Sequence, residues 1–206
     1  MSRYTGPKNK LARAEGTDLG LKTPGSKAHA SLLRRLNVLP GQHGSRGRRK
    51  PSGYGLQLRE KQKARRIFGV GERQFKNYFT HALKSRGNTG EALLQQLERR
   101  LDNIIYRLNL APTRTAARQY VSHGHVLVNN ARMSIPSYQV EVGDVISYKP
   151  KGINIPAVKK LLDEKNLVIP EWLARKGAVG TLVKIPVRAQ VEANINEQLI
   201  VEFYSR

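Results

Sequence analysis

Arginine is the side chain on which this sequence concentrates its chemistry, in the stretch from Arg99 to Lys149. Gln96, Arg100, Asn103 and Arg107 recur at three- and four-residue spacing, which sets them as a ridge along one border of a helix. Arg114 and Arg118 follow, four residues apart, on what reads as the outward side of the next helix. A guanidinium fork pairs two phosphate oxygens at once, and folded RNA is recognised chiefly by shape, backbone and 2′-hydroxyls. Arginines fixed on a compact module therefore point to structured RNA. Thr113 reads chiefly as a helix cap, placed so that the helix N-terminus beside Arg114 could also meet a phosphate. Asp102 reads as a group that orients neighbouring arginines.

The elements that must position these side chains follow from periodicity. A helix starts at Thr89, a capping residue, with Glu91 in its first turn. Leu93, Leu94, Leu97, Leu101, Ile104, Ile105 and Leu108 then fall within roughly 120° of arc, so one continuous helix is predicted up to Asn109 and Pro112. Thr113 opens a second helix that runs to His123 and stops at Gly124, with Ala117, Tyr120 and Val121 inward. Val126–Val128 leads into the turn pair Asn129-Asn130, and Val140 and Val142 lead through Gly143-Asp144 into Val145–Tyr148. This is a helix–turn–helix followed by a small antiparallel sheet.

Upstream lie two more helical patterns. Residues 56–69 crowd together Arg59, Lys61, Lys63, Arg65 and Arg66. Residues 72–85 space Phe75, Tyr78, Phe79, Ala82 and Leu83 to bury one face, while Arg73 and Lys76 extend the basic surface. Before them comes a basic run, Arg46-Gly47-Arg48-Arg49-Lys50, closed by Pro51. These clusters suit electrostatic positioning rather than sequence readout. Residues 1–44 form a Gly-, Pro- and Ser-rich basic extension expected to order on RNA, with one apolar piece at Leu32, Leu33 and Leu36. Downstream, residues 158–165 suggest a short helix, Trp172 an anchor, and residues 195–204 a strand.

Lys and Arg number 37 against 15 Asp and Glu, a formal charge of +22. Self-repulsion at that charge is relieved by a polyanion, and about ten phosphate contacts would give a log–log salt slope near −7 to −9. The first 50 residues hold 12 basic and 2 acidic residues, so the front of the chain is the part best suited to phosphates. A membrane is the rival polyanion, but no long apolar run or lipidation signal is present. The polar start shows no signal peptide, which together with the absence of cysteine suggests a cytoplasmic protein. Zero cysteines also excludes disulfides and thiolate zinc, and His123-Gly124-His125 lacks further ligands, so neither metal nor cofactor is expected. There is no phosphate-binding loop, dinucleotide fingerprint or nucleophile elbow, and no catalytic residue is assigned.

Arg100-Leu101-Asp102, Arg107-Leu108, Thr113-Arg114, Ala117-Arg118-Gln119, Ser122-His123-Gly124, Val126–Asn129, Pro136-Ser137-Tyr138 and Gly143-Asp144 resemble the S-four RNA-binding domain. The flanks resemble the bacterial small-subunit S-four ribosomal family itself: Leu39–Gly44, Tyr54–Lys63, Gly69-Val70 with Arg73-Gln74-Phe75, Gly87–Gly90, and Ile195-Asn196-Glu197. The resemblance implies an α+β protein, a mainly helical basic domain with an inserted helix–turn–helix and small sheet. It suggests segments 1–44, 45–98, 99–159 and 160–206, the last returning to the helical domain. It further implies a primary binder of the five-prime domain of small-subunit (16S) ribosomal RNA that nucleates assembly. Its neighbours would include the S-five protein and the channel through which messenger RNA enters, with an effect on decoding accuracy and no obligate homo-oligomer. Gln119, His123 and Asn129 are polar RNA contacts on the same ground. Two other readings stay open: an RNA-modifying enzyme carrying this module as an appendage, and a free messenger-binding regulator.

Overall fold

Short apolar patterns punctuated by Gly, Pro and Asn give short elements, and the chain folds into ten helices and five strands among the described residues. The computed structural model describes residues 4–47, 50–164, 168–191 and 194–205. Helix α1 (Lys8–Glu15) ends on Gly16 in the left-handed conformation, φ 72°. Helix α2 (Lys27–Arg34) starts at Ser26, whose hydroxyl accepts from the His29 amide at 3.2 Å. Ser52 caps α3 (Gly53–Ile67) in the same way, and α4 (Glu72–Leu83) follows. Helices α5 (Thr89–Glu98), α6 (Leu101–Arg107) and α7 (Arg114–Ser122) precede strands β1 (Val126–Val128), β2 (Ala131–Met133) and β3 (Val145–Tyr148). Then come α8 (Pro150–Ile153), α9 (Pro156–Asp163), β4 (Leu173–Lys176), β5 (Val179–Leu182) and α10 (Glu197–Tyr204).

Two compact units result, residues 1–90 with 194–206, and residues 91–193. In the first, α10 packs along α3. Gln57 Nε2 donates to Glu202 at 2.8 Å, the Asn196 amide donates to Glu60 at 3.2 Å, and Ile200 is fully buried. Phe79 stacks on Tyr204 with centroids 4.6 Å apart, and Lys61 Nζ sits 4.3 Å from the Phe203 ring centre. Phe75, Phe79 and Ala82 of α4 are buried as the periodicity requires, whereas Leu83 is exposed.

The second unit holds an antiparallel sheet of order β2-β1-β3-β5-β4. Asn129 and Asn130, both at positive φ, form the two-residue turn of the β1–β2 hairpin, the conformation that a right-twisted hairpin needs. Leu101, Ile104 and Ile105 of α6, Leu108 at its C-cap, Ala117 and Val121 of α7, and Val126, Ile146, Trp172 and Leu182 form its core. A Cβ at Gly180 would collide with the buried Leu108 side chain, so glycine there lets Leu108 pack directly on β5. Gly124 ends α7 at φ 71°, with the His125 amide donating back to Tyr120 O at 3.1 Å.

Several elements differ from the sequence reading. The continuous helix predicted over 89–108 is two helices, because Arg100 leaves the helical conformation and the backbone at 99–101 pairs with residues 138–140. The Leu101 amide donates to Tyr138 O at 2.9 Å and the Val140 amide to Arg99 O at 3.0 Å. Thr89 lies inside α5, and the turn before it is closed by Asn88, whose Oδ1 accepts from the Gly90 amide at 2.9 Å. Residues 195–204 contain helix α10 instead of a strand. Asn196 supplies the cap, its Oδ1 accepting from the Gln198 amide at 3.1 Å. The sheet is larger than foreseen, since β2, β4 and β5 join the two β-type runs. Residues 173–182 thus complete the second unit, and only residues 194–206 belong with the first. The N-terminal segment carries α1 and α2 with Ala12, Leu19, Leu21 and Leu32 buried.

Candidate nucleic-acid interface

Glu98, at the end of α5, and Asp102, in the first turn of α6, are buried carboxylates around which the arginines of the second unit are arranged. The Arg107 guanidinium forks onto Glu98, Nη2 to Oε1 at 2.6 Å and Nε to Oε2 at 3.1 Å. Asn103 Nδ2 donates to the same Oε2 at 2.6 Å, while its Oδ1 accepts from Arg114 Nε at 2.8 Å. The Arg114 guanidinium lies 4.4 Å from the Tyr106 ring centre, within the range of a cation–π contact. Arg100 pairs with Asp102 by a second fork, at 3.1 and 2.7 Å, and Arg118 Nη1 comes within 3.9 Å of the same carboxylate. The expectation that Asp102 orients nearby arginines describes this geometry.

The arginines are not an outward ridge. Arg100 is fully buried, Asn103 is buried, and Arg114 and Arg118 are only 6% and 9% exposed. The cause is the break at Arg99–Arg100. Beyond it α6 packs on α7, and Asn103 and Arg107 turn to Glu98 at the end of α5 while Asn103 also takes Arg114 from α7. Arg107, with 16% of its side chain accessible, and Arg118, with 11%, present what reaches the surface. Thr113 is likewise buried rather than exposed, and its hydroxyl caps α7 by accepting from the Ala116 amide at 3.2 Å. Gln119 on α7 and His123 at its C-cap are exposed. Asn129 is exposed too, but its amide braces the sheet, donating to Asp144 at 2.7 Å and accepting from the Val145 amide at 2.9 Å.

The basic cluster of α3 also divides. Lys61, expected on a basic surface, is buried and pairs with Glu72 at 2.6 Å. Arg66 pairs with Glu15, Lys63 with Glu60 at 3.3 Å, and Arg65 with Glu72 at 3.3 Å. Arg59 keeps half of its side chain exposed. Arg46, Lys50, Arg73 and Lys76 are exposed, and Arg48 and Arg49 lie outside the described residues.

Burial alone would raise the Glu72 carboxyl. The hydrogen bond and charge of Lys61, the Tyr204 hydroxyl and Arg65 together hold it below the usual range instead. Burial lowers the Arg66 guanidinium despite Glu15, and burial pushes the Tyr204 phenol up, with Glu72 adding to the shift. In the second unit burial likewise pushes up the Tyr148 phenol, which donates to Leu110 O at 3.0 Å.

Glu98 was not singled out by the sequence. An acid beside Arg99 and Arg100 on a presumed straight helix reads as a solvated residue, and only the chain break buries it. No group of three or more His, Cys, Asp or Glu side chains among the described residues could hold a metal. Among the described residues no helix is long and apolar enough to cross a membrane. What the geometry offers is a set of arginines braced by buried carboxylates, with the edges of Arg107 and Arg118 accessible.

Comparison with known proteins agrees with that chemistry. Residues 3–98 match the model of the ribosomal protein S4/S9 N-terminal domain, and residues 99–146 match the S4 domain. The chain is 48% identical to the small ribosomal subunit protein uS4 of Desulforamulus reducens, with both chains fully covered. It is 49% identical to uS4 of Chromobacterium violaceum and 50% identical to that of Herpetosiphon aurantiacus, again over the full length of each. The match spans both units from end to end, and the chain therefore belongs to the uS4 family of small ribosomal subunit proteins, a structural and non-enzymatic family.

Proposed function

We propose that this protein is a structural constituent of the bacterial small ribosomal subunit that binds the five-prime domain of 16S ribosomal RNA and nucleates assembly there. Its place of action is the ribosome, in the cytoplasm. The observation that carries the reading is the arginine lattice of the second unit. Arg100, Arg107, Arg114 and Arg118 are held by Glu98, Asp102 and Asn103 in a geometry fixed before any ligand arrives. Folded RNA is read through the spacing of its phosphates and 2′-hydroxyls, and a rigid guanidinium array suits that target. Arg107 and Arg118 reach the phosphates through their accessible edges, with Gln119, His123 and Asn129 as polar contacts beside them. Arg46, Lys50, Arg59, Arg73 and Lys76 add electrostatic positioning from the first unit. The neighbouring partners are the S-five protein and messenger RNA where it enters the subunit, which would link this protein to decoding accuracy.

Filter binding to three transcripts tests this: whole small-subunit ribosomal RNA, its five-prime domain, and its three-prime domain, at about 150 mM monovalent salt. The whole RNA and the five-prime domain should bind with equal affinity, and at least tenfold more tightly than the three-prime domain. Equal affinity for all three transcripts would refute the assignment.

A further inference from the structure

Glu98 occupies a position that local physics disfavours. It lies at the C-terminal end of α5, where the helix dipole repels an anion, and its side chain is wholly inaccessible. A buried carboxylate is costly unless well paired, and apolar replacements of such pairs are often as stable. Stability alone therefore does not explain an acid here, whereas geometry does. Its two oxygens receive Arg107 twice, at 2.6 and 3.1 Å, and Asn103 once, at 2.6 Å. Asn103 is fixed further by donating to the Glu98 carbonyl at 2.9 Å, and it passes the constraint to Arg114 at 2.8 Å. Tyr106 closes the chain of contacts beneath Arg114 at 4.4 Å. One carboxylate thus sets the placement of two arginines on two helices.

We propose that Glu98 is a positioning residue for RNA binding: it strengthens binding to a polyanion although its own charge repels one, by fixing Arg107 directly and Arg114 through Asn103. This rests on the RNA-binding reading above. It predicts an effect opposite in sign to simple electrostatics. Removing a negative charge from a phosphate-binding face should tighten binding if charge alone matters. If Glu98 acts by placing the arginines, removing it must weaken binding.

The test uses the full chain and a transcript of the small-subunit ribosomal RNA, with affinity measured across a salt series. Glu98→Gln keeps the side-chain size and loses the charge. The expected result is at least tenfold weaker binding, with a shallower salt slope as a phosphate contact is lost. A double-mutant cycle with Arg107→Gln should be non-additive, because the Arg107 substitution has little left to remove once Glu98 is gone. Asn103→Ala changes no charge, cuts the link from Glu98 to Arg114 at a residue too buried to meet RNA itself, and carries the test should Glu98→Gln not fold; it should weaken binding about threefold at unchanged slope. Equal or tighter binding by Glu98→Gln, an additive cycle, or unchanged affinity of the Asn103 variant overturns the positioning role. Failure of the unsubstituted protein to prefer this transcript over an unrelated one of equal length refutes the RNA reading itself.

Discussion

Replacing Ile200 by alanine tests how the C-terminal segment completes the first unit. In α10 Ile200 is fully buried, while Leu199 and Val201 on either side are half-buried. Side chains in a strand alternate, so a strand would group Ile200 with Gln198 and Glu202 and turn Leu199, Val201 and Phe203 to the core. The two conformations therefore rank the substitutions oppositely. Ile200→Ala removes a buried branched side chain and leaves a cavity, at about 2–5 kcal/mol. Val201→Ala should cost about 1 kcal/mol or less, given its partial exposure. For a unit of about 100 residues, each kcal/mol moves the melting temperature by about 4–8 °C, so the Ile200 variant should melt at least about 8 °C lower. Circular dichroism melts supply the midpoints, and amide exchange locates the loss. Protection should fall in α3 and α4, far away in sequence, because α10 packs along α3. A Val201 variant less stable than the Ile200 variant, or an Ile200 variant within about 0.5 kcal/mol of the parent, would refute this packing.

Glu72→Gln should change how the first unit responds to acid. The folded carboxyl titrates below its unfolded value, so its contribution is present above the unfolded pKa and is lost as pH falls through the folded one. The parent should be more stable than the variant near pH 7, by less than about 1 kcal/mol because the Glu72 side chain is 44% exposed, with the gap closing toward pH 3. Urea midpoints at both pH values give the comparison, and a gap that widens in acid would contradict the assignment. Trp172→Ala should destabilise the second unit by about 3–5 kcal/mol, since the indole is wholly buried in its core. A loss of tryptophan fluorescence intensity in the parent that begins well before the cooperative transition would argue against that burial.

Sequence alone determined the parts of this protein that depend on neighbouring residues. The Thr113 cap, the Gly124 stop and the Asn129-Asn130 hairpin turn are local conformational preferences, and they appear where the residue types put them. The apolar periodicity of α4, α6 and α7 was legible for the same reason, as was the cationic character, which is a sum over residues. Tertiary structure decided everything that needed a distant partner. The break between α5 and α6 exists because backbone groups at 99–101 pair with residues 138–140, and no periodicity carries that signal. Residues 195–204 could alternate as a strand or wind as a helix. Gln57, Glu60 and the aromatic rings of the first unit settle the helix. The arginines and Lys61 were identifiable as cations, but whether a cation meets solvent or a buried carboxylate depends on which helix faces are brought together. Burial of Glu98, Asp102 and Lys61 is a property of that packing, and it turned a presumed exposed ridge into a braced lattice.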